Sequence, residues 1–510
     1  MQALGAHVAQ GPLRFVEGSR LDSTPVLHSL RRFAAVGLLG LVTLVTVCTL
    51  ADTARAVPSF ARKYRTSCQT CHTQYPRLNA FGESFRLSGY QFPDRDREAQ
   101  KGEPVELGSE KYKEVFPDAV WPSTILESVP ISVRAQGALQ ASLQHHAETA
   151  VDFRFPGNLA LNAAGTLSDD ITLWAGLHVS ASGAVAADKI AFVFSNLFDT
   201  LGAPRHLLNL KVGQFEPEAQ PFSSHRLTTL SPSRFAGFSL VRWADATVSG
   251  GAVVAAEHAH LELGKADEAH GATADATSTG ATGIVGGSSL YGLERGVELM
   301  GLITPRFLYA VGVFNGNGAG APIGASFDPA TGKDVLARLQ LKLGGLALDG
   351  SGELQAKNWR ETSVALGTTF RYGSARLTQT AADGTALAWD CETVRIGADV
   401  DIHVGDAQLT LAAAWQHAND PGGVGKDAAA IAWSAELHLV WLAWLQSTFR
   451  YEGVVAGKGY SWAEQNAVAN LAFLIRPNVK GTLEFLVDLK DPDNISEGAH
   501  AFLLGLDGAF

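Results

Sequence analysis

The sequence predicts an all-β transmembrane barrel of about 16–18 antiparallel strands, preceded by a small, mostly helical or irregular segment that could plug the lumen. Three observations predict this fold class. Runs of about ten residues alternate between apolar and polar side chains, as outer-membrane strands do. The amino terminus carries an export signal, and the chain ends on an aromatic residue, Phe510, at the close of one more alternating run.

Composition limits the class of protein further. The chain has 510 residues, a net charge of −11, 46% hydrophobic residues and 18% charged residues. This hydrophobic content excludes a disordered chain. Only one apolar run, residues 33–51, is long enough to span a bilayer as a helix, which excludes a helical membrane bundle. The acidic balance and the lack of a basic stripe argue against a nucleic-acid partner.

Residues 1–56 are predicted to be a signal peptide. Arg31 and Arg32 precede the apolar run, and Ala54 and Ala56 supply small residues at a cleavage site before Val57. An uncleaved membrane anchor is the alternative. With the strand pattern, this segment predicts secretion through the inner membrane and insertion into the outer membrane of a bacterium, with membrane lipid as a partner.

Residues 57–125 contain the motif Cys68-Gln69-Thr70-Cys71-His72, which has the C-x-x-C-H spacing of a c-type haem attachment site. Two thiols at this spacing can bond covalently to one haem, and the adjacent His72 then binds the iron. A zinc pair would need two more ligands, and the other cysteines are not placed to supply them. A redox pair would need a βαβ context, which the flanks do not offer. We therefore expect one covalent haem c on Cys68 and Cys71, with His72 as the proximal ligand.

The segment after the motif predicts one short helix. Leu78, Phe81 and Phe85 recur at helical spacing, Asn79 can cap the helix, and Gly89 can end it. Residues 93–122 are charged and contain proline, which predicts a linker or loop.

The usual sixth ligands of a haem iron are histidine or methionine. Residues 57–127 contain no histidine besides His72 and no methionine. The sixth ligand must therefore come from the rest of the chain, or be a weaker group, or the position must be open. Strand alternation predicts that four histidines face the lumen: His146, His178, His403 and His438. His225, on a predicted in-folded loop, is the first choice because a loop can reach the barrel axis.

Residues 126–510 form the predicted barrel. In one run Ile396, Ala398 and Val400 alternate with Gly397 and Asp399. The candidate strands are 129–145, 151–167, 171–180, 188–198, 206–215, 247–256, 296–303, 307–314, 335–343, 364–372, 394–404, 408–417, 429–440, 442–452, 468–476, 479–489 and 501–510. Two irregular stretches interrupt them: residues 216–238, a candidate constriction loop, and residues 265–289, a candidate flexible external loop.

Residues 58–90 resemble the amino-terminal segment of the outer-membrane cytochrome–porin fusions, whose best-known members are iron-oxidising cytochromes. The resemblance is carried by Pro58-Ser59-Phe60-Ala61-Arg62-Lys63-Tyr64, by the C-x-x-C-H motif, by Pro76-Arg77-Leu78-Asn79-Ala80-Phe81-Gly82, by Phe85 and by Gly89-Tyr90. It implies a single haem on a plug within a porin-like barrel. It also implies electron transfer across the outer membrane, between an external donor or acceptor such as Fe(II) and a periplasmic cytochrome or other electron carrier.

Other functions remain open at this stage. The chain could be a solute or ion porin whose cytochrome segment is a redox-sensing or structural plug. It could also be a small-molecule redox enzyme with an open haem position. Whether the protein counts as an enzyme, with Fe(II) oxidase activity, and whether it forms a homo-oligomer are questions that the residues leave unanswered.

Overall fold

The structure, a computed structural model, describes residues 59–93, 96–101, 108–119, 131–142, 151–180, 185–219, 225–238, 240, 292–316, 332–380, 386–421, 425–457, 462–489 and 500–509. Five predicted features lie outside these residues: the signal segment 1–56, His146, the strand candidate 247–256, the loop 265–289 and Phe510. Residues 56–510 form one compact unit.

The amino-terminal segment is a series of short elements. These are helix α1 (Ser59–Tyr64), a 3₁₀ turn (Cys68–Thr70), strands β1 (His72–Gln74) and β2 (Arg77–Leu78), and helices α2 (Ala80–Leu87), α3 (Asp96–Ala99) and α4 (Ser109–Val115). The predicted helix after the motif is α2, and the Asn79 side chain caps it by accepting a hydrogen bond from Gly82 N at 2.8 Å. Helices α3 and α4 occupy part of the predicted linker, because glutamate, lysine and arginine favour helix even in a charged stretch.

Sixteen antiparallel strands form the barrel. They are β3 (Ile131–Ser142), β4 (Val151–Ser168), β5 (Ile171–Ser180), β6 (Val185–Phe194), β7 (Asn209–Phe215), β8 (Glu294–Thr304), β9 (Phe307–Phe314), β10 (Asp334–Gly344), β11 (Glu361–Thr380), β12 (Ala386–Gly405), β13 (Ala407–Ala418), β14 (Ala428–Leu442), β15 (Leu445–Gly457), β16 (Trp462–Arg476), β17 (Val479–Asp488) and β18 (Ala501–Ala509). Each strand pairs with its neighbours in chain order, and β18 pairs with β3 to close the barrel. The predicted barrel is confirmed, at the lower end of the predicted strand number.

Side chains alternate across the barrel wall as the sequence predicted. In β13, Thr410 and Gln416 face inward and are buried, whereas Leu411 and Trp415 face outward and are each 39% exposed. In β12, Asp399 is buried inside and Ile396 is exposed outside. A closed sheet satisfies its backbone hydrogen bonds internally, so an apolar outer face can meet lipid. Among the described residues, no helix is long and apolar enough to cross a membrane.

The connection between β7 and β8 enters the lumen. We call its described residues 216–219 and 225–238 the inward loop. Carboxylates on the barrel wall hold it through its backbone. Glu484 accepts hydrogen bonds from Leu230 N at 2.7 Å and Ser231 N at 2.6 Å, and Glu452 accepts one from Arg234 N at 2.7 Å, where the short helix α5 (Arg234–Gly237) begins. The predicted in-folded loop is therefore present.

Residues 59–93 of the amino-terminal segment also lie in the lumen, whereas helix α4 is exposed. Lys63 Nζ donates to Thr166 Oγ1 of β4 at 3.1 Å, and Lys480 Nζ of β17 donates to the Tyr75 carbonyl at 2.9 Å. Gln69 Nε2 donates to the carbonyl of Ala443, in the turn between β14 and β15, at 2.9 Å. These contacts show that residues 59–93, which we call the plug, lie at the end of the barrel where most turns are short.

Candidate haem site

The backbone around the motif is fixed by a helix cap. Asn79 N donates to the Cys71 carbonyl at 2.9 Å, and Asn79 Nδ2 donates to the Thr70 carbonyl at 3.0 Å. The same Asn79 caps α2, so one residue joins this helix to the motif. Helix α2 comes so close that a Cβ atom added at Gly82 would lie 2.0 Å from the Cys71 carbonyl oxygen. Only glycine permits this approach.

His72 is oriented for metal binding through one ring nitrogen. Its Nδ1 donates to the Pro76 carbonyl at 3.0 Å. This bond fixes the tautomer in which the lone pair is on Nε2, the atom that would bind iron. Burial lowers the pKa of His72 to about 4, against smaller opposing effects of hydrogen bonds to the backbone. The imidazole is therefore neutral near pH 7, which is the form that binds a metal.

The two thiols are not arranged as a reactive pair. Burial raises the pKa of Cys68 and raises that of Cys71 to about 12, with a further increase from the charge of Cys68. Both thiols are thus protonated at neutral pH, whereas a redox cysteine needs a lowered pKa. Among the described residues, no group of three or more His, Cys, Asp or Glu side chains could hold a metal ion.

One cavity opens beside the motif, between the plug and strands β3–β6. It encloses about 1500 Å³, including space open to solvent, and both cysteines and His72 line it. Its other lining side chains include aromatic ones, such as Phe60, Tyr90 and Trp174, and charged ones, such as Arg86, Lys189 and Glu216. The two cysteines and His72 are the donor set of a c-type haem, and the aromatic side chains beside them offer an apolar surface to its ring. The residues present therefore fit a haem.

Two of the predicted distal candidates, His225 and His178, line this same cavity. The carbonyl of His225 accepts a hydrogen bond from Leu78 N at 3.1 Å, and Leu78 is the partner of His72 in the pairing of β1 with β2. His178 faces inward from β5, and its buried Nε2 has no hydrogen-bond partner among the residues that the structure describes.

The other two described distal candidates, His403 and His438, are not among the residues that line the cavity. His403 Nε2 lies 3.5 Å from Asp401, and His438 Nδ1 lies 3.0 Å from Thr448 Oγ1. Strand alternation correctly predicted that these histidines face the lumen. It could not predict which of them reach the motif.

Charged groups surround His225. Its Nε2 lies 3.6 Å from Glu83 Oε1, and Glu83 also pairs with Arg226 at 3.0 Å. Burial, and then the positive charge of Arg86, lower the pKa of His225 to about 3, so this ring is neutral near pH 7. Burial would raise the pKa of Glu83, but Arg226 and Arg86 outweigh it and hold that pKa at about 2.

The contacts of Arg77, Glu83 and Arg86 were not predicted from the sequence. These residues join the plug to the inward loop and to the barrel wall. The sequence did contain an indication of a contact with the wall, because Glu436 occupies an inward-facing position of an alternating strand. A carboxylate there requires a cationic partner.

The orientation of the barrel in the membrane follows from the lengths of the turns between its strands. Most turns at the end that holds the plug have only a few residues, as between β12 and β13 and between β16 and β17. In outer-membrane barrels the short turns face the periplasm. With its closed ring of strands and apolar exterior, the protein is a porin-like outer-membrane β-barrel. The motif lies at its periplasmic end.

Comparisons with known proteins give structural likenesses only. No protein-family model and no curated protein matches the chain. It is similar to the anion-selective porin from Comamonas acidovorans, with a TM-score of 0.45, 11% identity and coverage of 74% of this chain and 98% of that one. It is also similar to a loop L8 deletion mutant of OmpT, an outer membrane protein of Vibrio cholerae, with a TM-score of 0.44, 10% identity and coverage of 75% and 99%. A third similar structure is the outer membrane channel DcaP of Acinetobacter baumannii, with a TM-score of 0.40, 12% identity and coverage of 74% and 96%.

Proposed function

We propose that this protein is a monohaem cytochrome built into an outer-membrane barrel, and that it transfers electrons across the outer membrane. One observation carries the proposal. The two cysteines and the histidine of a C-x-x-C-H motif line one cavity inside the barrel, and His225 of the inward loop lines it too.

Each residue then has a defined role. Cys68 and Cys71 bond covalently to one haem c, and His72 Nε2 binds the iron from one side. His225 is the proposed sixth ligand, because it lines the same cavity and its ring is neutral. Its backbone carbonyl also accepts a hydrogen bond from Leu78, the residue that pairs with His72 between β1 and β2. A haem bound here would supply a one-electron carrier, and aromatic and charged side chains would surround it.

The position of the motif suggests the route of the electron. The motif lies near the short periplasmic turns, so a periplasmic cytochrome or other carrier could approach it closely. In the direction that the resemblance suggests, an external donor such as Fe(II) is oxidised by one electron to Fe(III), and the periplasmic carrier is reduced by one electron. The same site could run in reverse towards an external acceptor.

The plug and the inward loop both lie in the lumen, which favours the transfer of electrons over the passage of solutes. An empty barrel of this size leaves an aqueous channel. Here the plug and the inward loop contact the wall at many points, and buried ion pairs such as Arg77–Glu436 at 2.8 Å join them to it. Electron transfer needs no open pore, so these contacts do not oppose it.

A Cys71→Ser variant tests the proposal, with Cys391→Ser as the matched control. Cys391 is a buried cysteine of β12, outside the cavity lining. We expect Cys71→Ser to lose most of the covalent haem on a haem-stained gel of outer-membrane fractions, and to lose electron transfer between external Fe(II) and a carrier enclosed in liposomes. The control should keep both. Wild-type protein without covalent haem would refute the proposal.

A solute or ion porin is the second candidate, and the closed barrel of sixteen strands favours it. It predicts that the wild type conducts solutes freely, and that this conductance is the same after the haem is lost. Liposome permeability measured on the same two variants separates the candidates. A haem-bearing wild type with high permeability and no electron transfer would favour the porin.

A further inference from the structure

We propose that Arg77 is a positioning residue that anchors both cavity-facing histidines, His72 and His225, to the barrel wall. The inference rests on the proposed function, because its importance lies in the haem that these histidines would bind. Arg77 belongs to the stretch that carries the resemblance, but the resemblance assigns it no role, and the contacts of its side chain do.

The Arg77 side chain forms hydrogen bonds with two strands of the barrel wall. The residue is 2% exposed, its Nη1 donates to Glu436 Oε1 of β14 at 2.8 Å, and its Nε donates to Gln408 Oε1 of β13 at 3.0 Å. Glu436 is equally buried, so each charge depends on the other. The planar guanidinium can make these bonds in different directions at once, which a lysine ammonium on a flexible chain does less well.

The link to His72 runs through the backbone. The carbonyl that accepts a hydrogen bond from His72 Nδ1 belongs to Pro76, the residue immediately before Arg77. Arg77 also pairs with Gln74 in the two-stranded sheet that begins at His72. A shift of the Arg77 side chain would therefore shift the group that sets the orientation of the His72 ring.

The link to His225 runs through the inward loop. Arg77 Nη1 donates to the carbonyl of Arg226 at 3.0 Å, and the next residue, Leu78, donates from its backbone to the carbonyl of His225 at 3.1 Å. The same guanidinium thus holds the loop at the position of His225. Since His72 and His225 belong to segments far apart in the chain, a shared anchor on a rigid wall keeps their spacing constant.

Other buried arginines differ in this respect. Arg450 holds the inward loop through Thr229, Ser231 and Pro232. Arg371 of β11 pairs with Glu294 of β8 and with Asp334 of β10. Arg371 matches Arg77 in burial and in having carboxylate partners, and it is not among the residues that line the cavity. It is therefore the control position.

The test compares purified full-length protein carrying Arg77→Met, Arg77→Lys or the control Arg371→Met. The readouts are covalent haem on a gel, the absorption spectra of the oxidised and reduced protein, and carbon monoxide binding to the reduced protein. We expect Arg77→Met to keep its covalent haem, to lose much of the low-spin spectrum of the wild type, and to bind carbon monoxide about tenfold more tightly. Arg77→Lys should be intermediate, and the control should match the wild type.

Each outcome separates this inference from the proposed function. Wild-type protein without covalent haem refutes the proposed function. Haem-bearing Arg77→Met with an unchanged low-spin spectrum and unchanged carbon monoxide affinity overturns the role of Arg77, and so does a wild type that is fully high-spin. If Arg77→Met does not assemble, Glu436→Gln decides the matter, because it removes the ion pair but keeps the side-chain shape. An unchanged spectrum in that variant also overturns the inference.

Discussion

At the scale of single residues, the haem motif depends on a glycine as much as on its cysteines. Gly82, in the first turn of α2, lies directly against the carbonyl of Cys71, and a side chain there would also meet Leu78. This contact sets the position of Cys71 relative to the helix that lines the cavity. The C-x-x-C-H spacing alone does not define that position.

We predict that Gly82→Ala destabilises the plug. The added methyl group cannot fit beside the Cys71 carbonyl, and overpacking of this kind costs about 1–3 kcal/mol. The measurement is the free energy of unfolding, followed by haem absorbance in a denaturant titration. Gly237→Ala is the control, because a Cβ there meets nothing within 4 Å. Equal stability of the two variants would contradict the close approach.

At the scale of elements, the plug, the inward loop and the wall share one network of charges. Glu218 of the inward loop pairs with Arg86 of α2 and, at 3.0 Å, with Lys211 of β7. The backbone N of Glu218 donates to Glu298 Oε2 of β8 at 2.8 Å. Through its carboxylate and its backbone N–H, one loop residue therefore joins the plug to two strands.

This network predicts a loss of stability in acid. Burial would raise the pKa of Glu218, but Arg86 and Lys211 outweigh it and hold that pKa well below the ordinary value of 4.5. The unfolded chain then takes up a proton at a higher pH than the folded one. The contribution of Glu218 is complete above about pH 4.5 and falls as the pH drops below that value.

Glu218→Gln tests this expectation. The variant should lose on the order of 3 kcal/mol of stability at pH 7, because it breaks a buried ion pair. Its stability should also fall less than that of the wild type between pH 5 and the most acidic pH tested. Denaturant titrations across this range give both quantities. Glu353→Gln, at an exposed position, is the control, and a Glu218→Gln curve parallel to the wild type would exclude the assigned role.

At the scale of the whole molecule, the barrel is a polar interior inside an apolar exterior. Buried charges such as Arg395 and Asp399 face the lumen, while Leu411 and Ile396 face outward. Trp441 and Trp444, which are 60% and 53% exposed, lie at the short-turn end. Exposed aromatic side chains at a barrel rim are typical of the interface between lipid and water.

We predict that a charge on the outer face costs stability according to its depth in the bilayer. Leu411→Arg, near the middle of β13, should lower the free energy of unfolding in lipid by about 2–4 kcal/mol. Val404→Arg, at the turn end of β12, should cost about 0–1 kcal/mol. Unfolding in lipid vesicles measures both variants. Equal costs would show that this face does not lie in a bilayer.

The sequence alone determined the features that depend on local pattern. Alternation over many residues predicted the barrel strands and their inward sides, because a residue's face in a strand follows from its position in the chain. Spacing predicted the C-x-x-C-H motif and the capping role of Asn79. Only the tertiary structure decided which histidines meet the motif, that Arg77 contacts Glu436, and that Gly82 must be glycine. Those contacts join residues distant in the chain, and they depend on how the plug and the inward loop pack inside the closed ring.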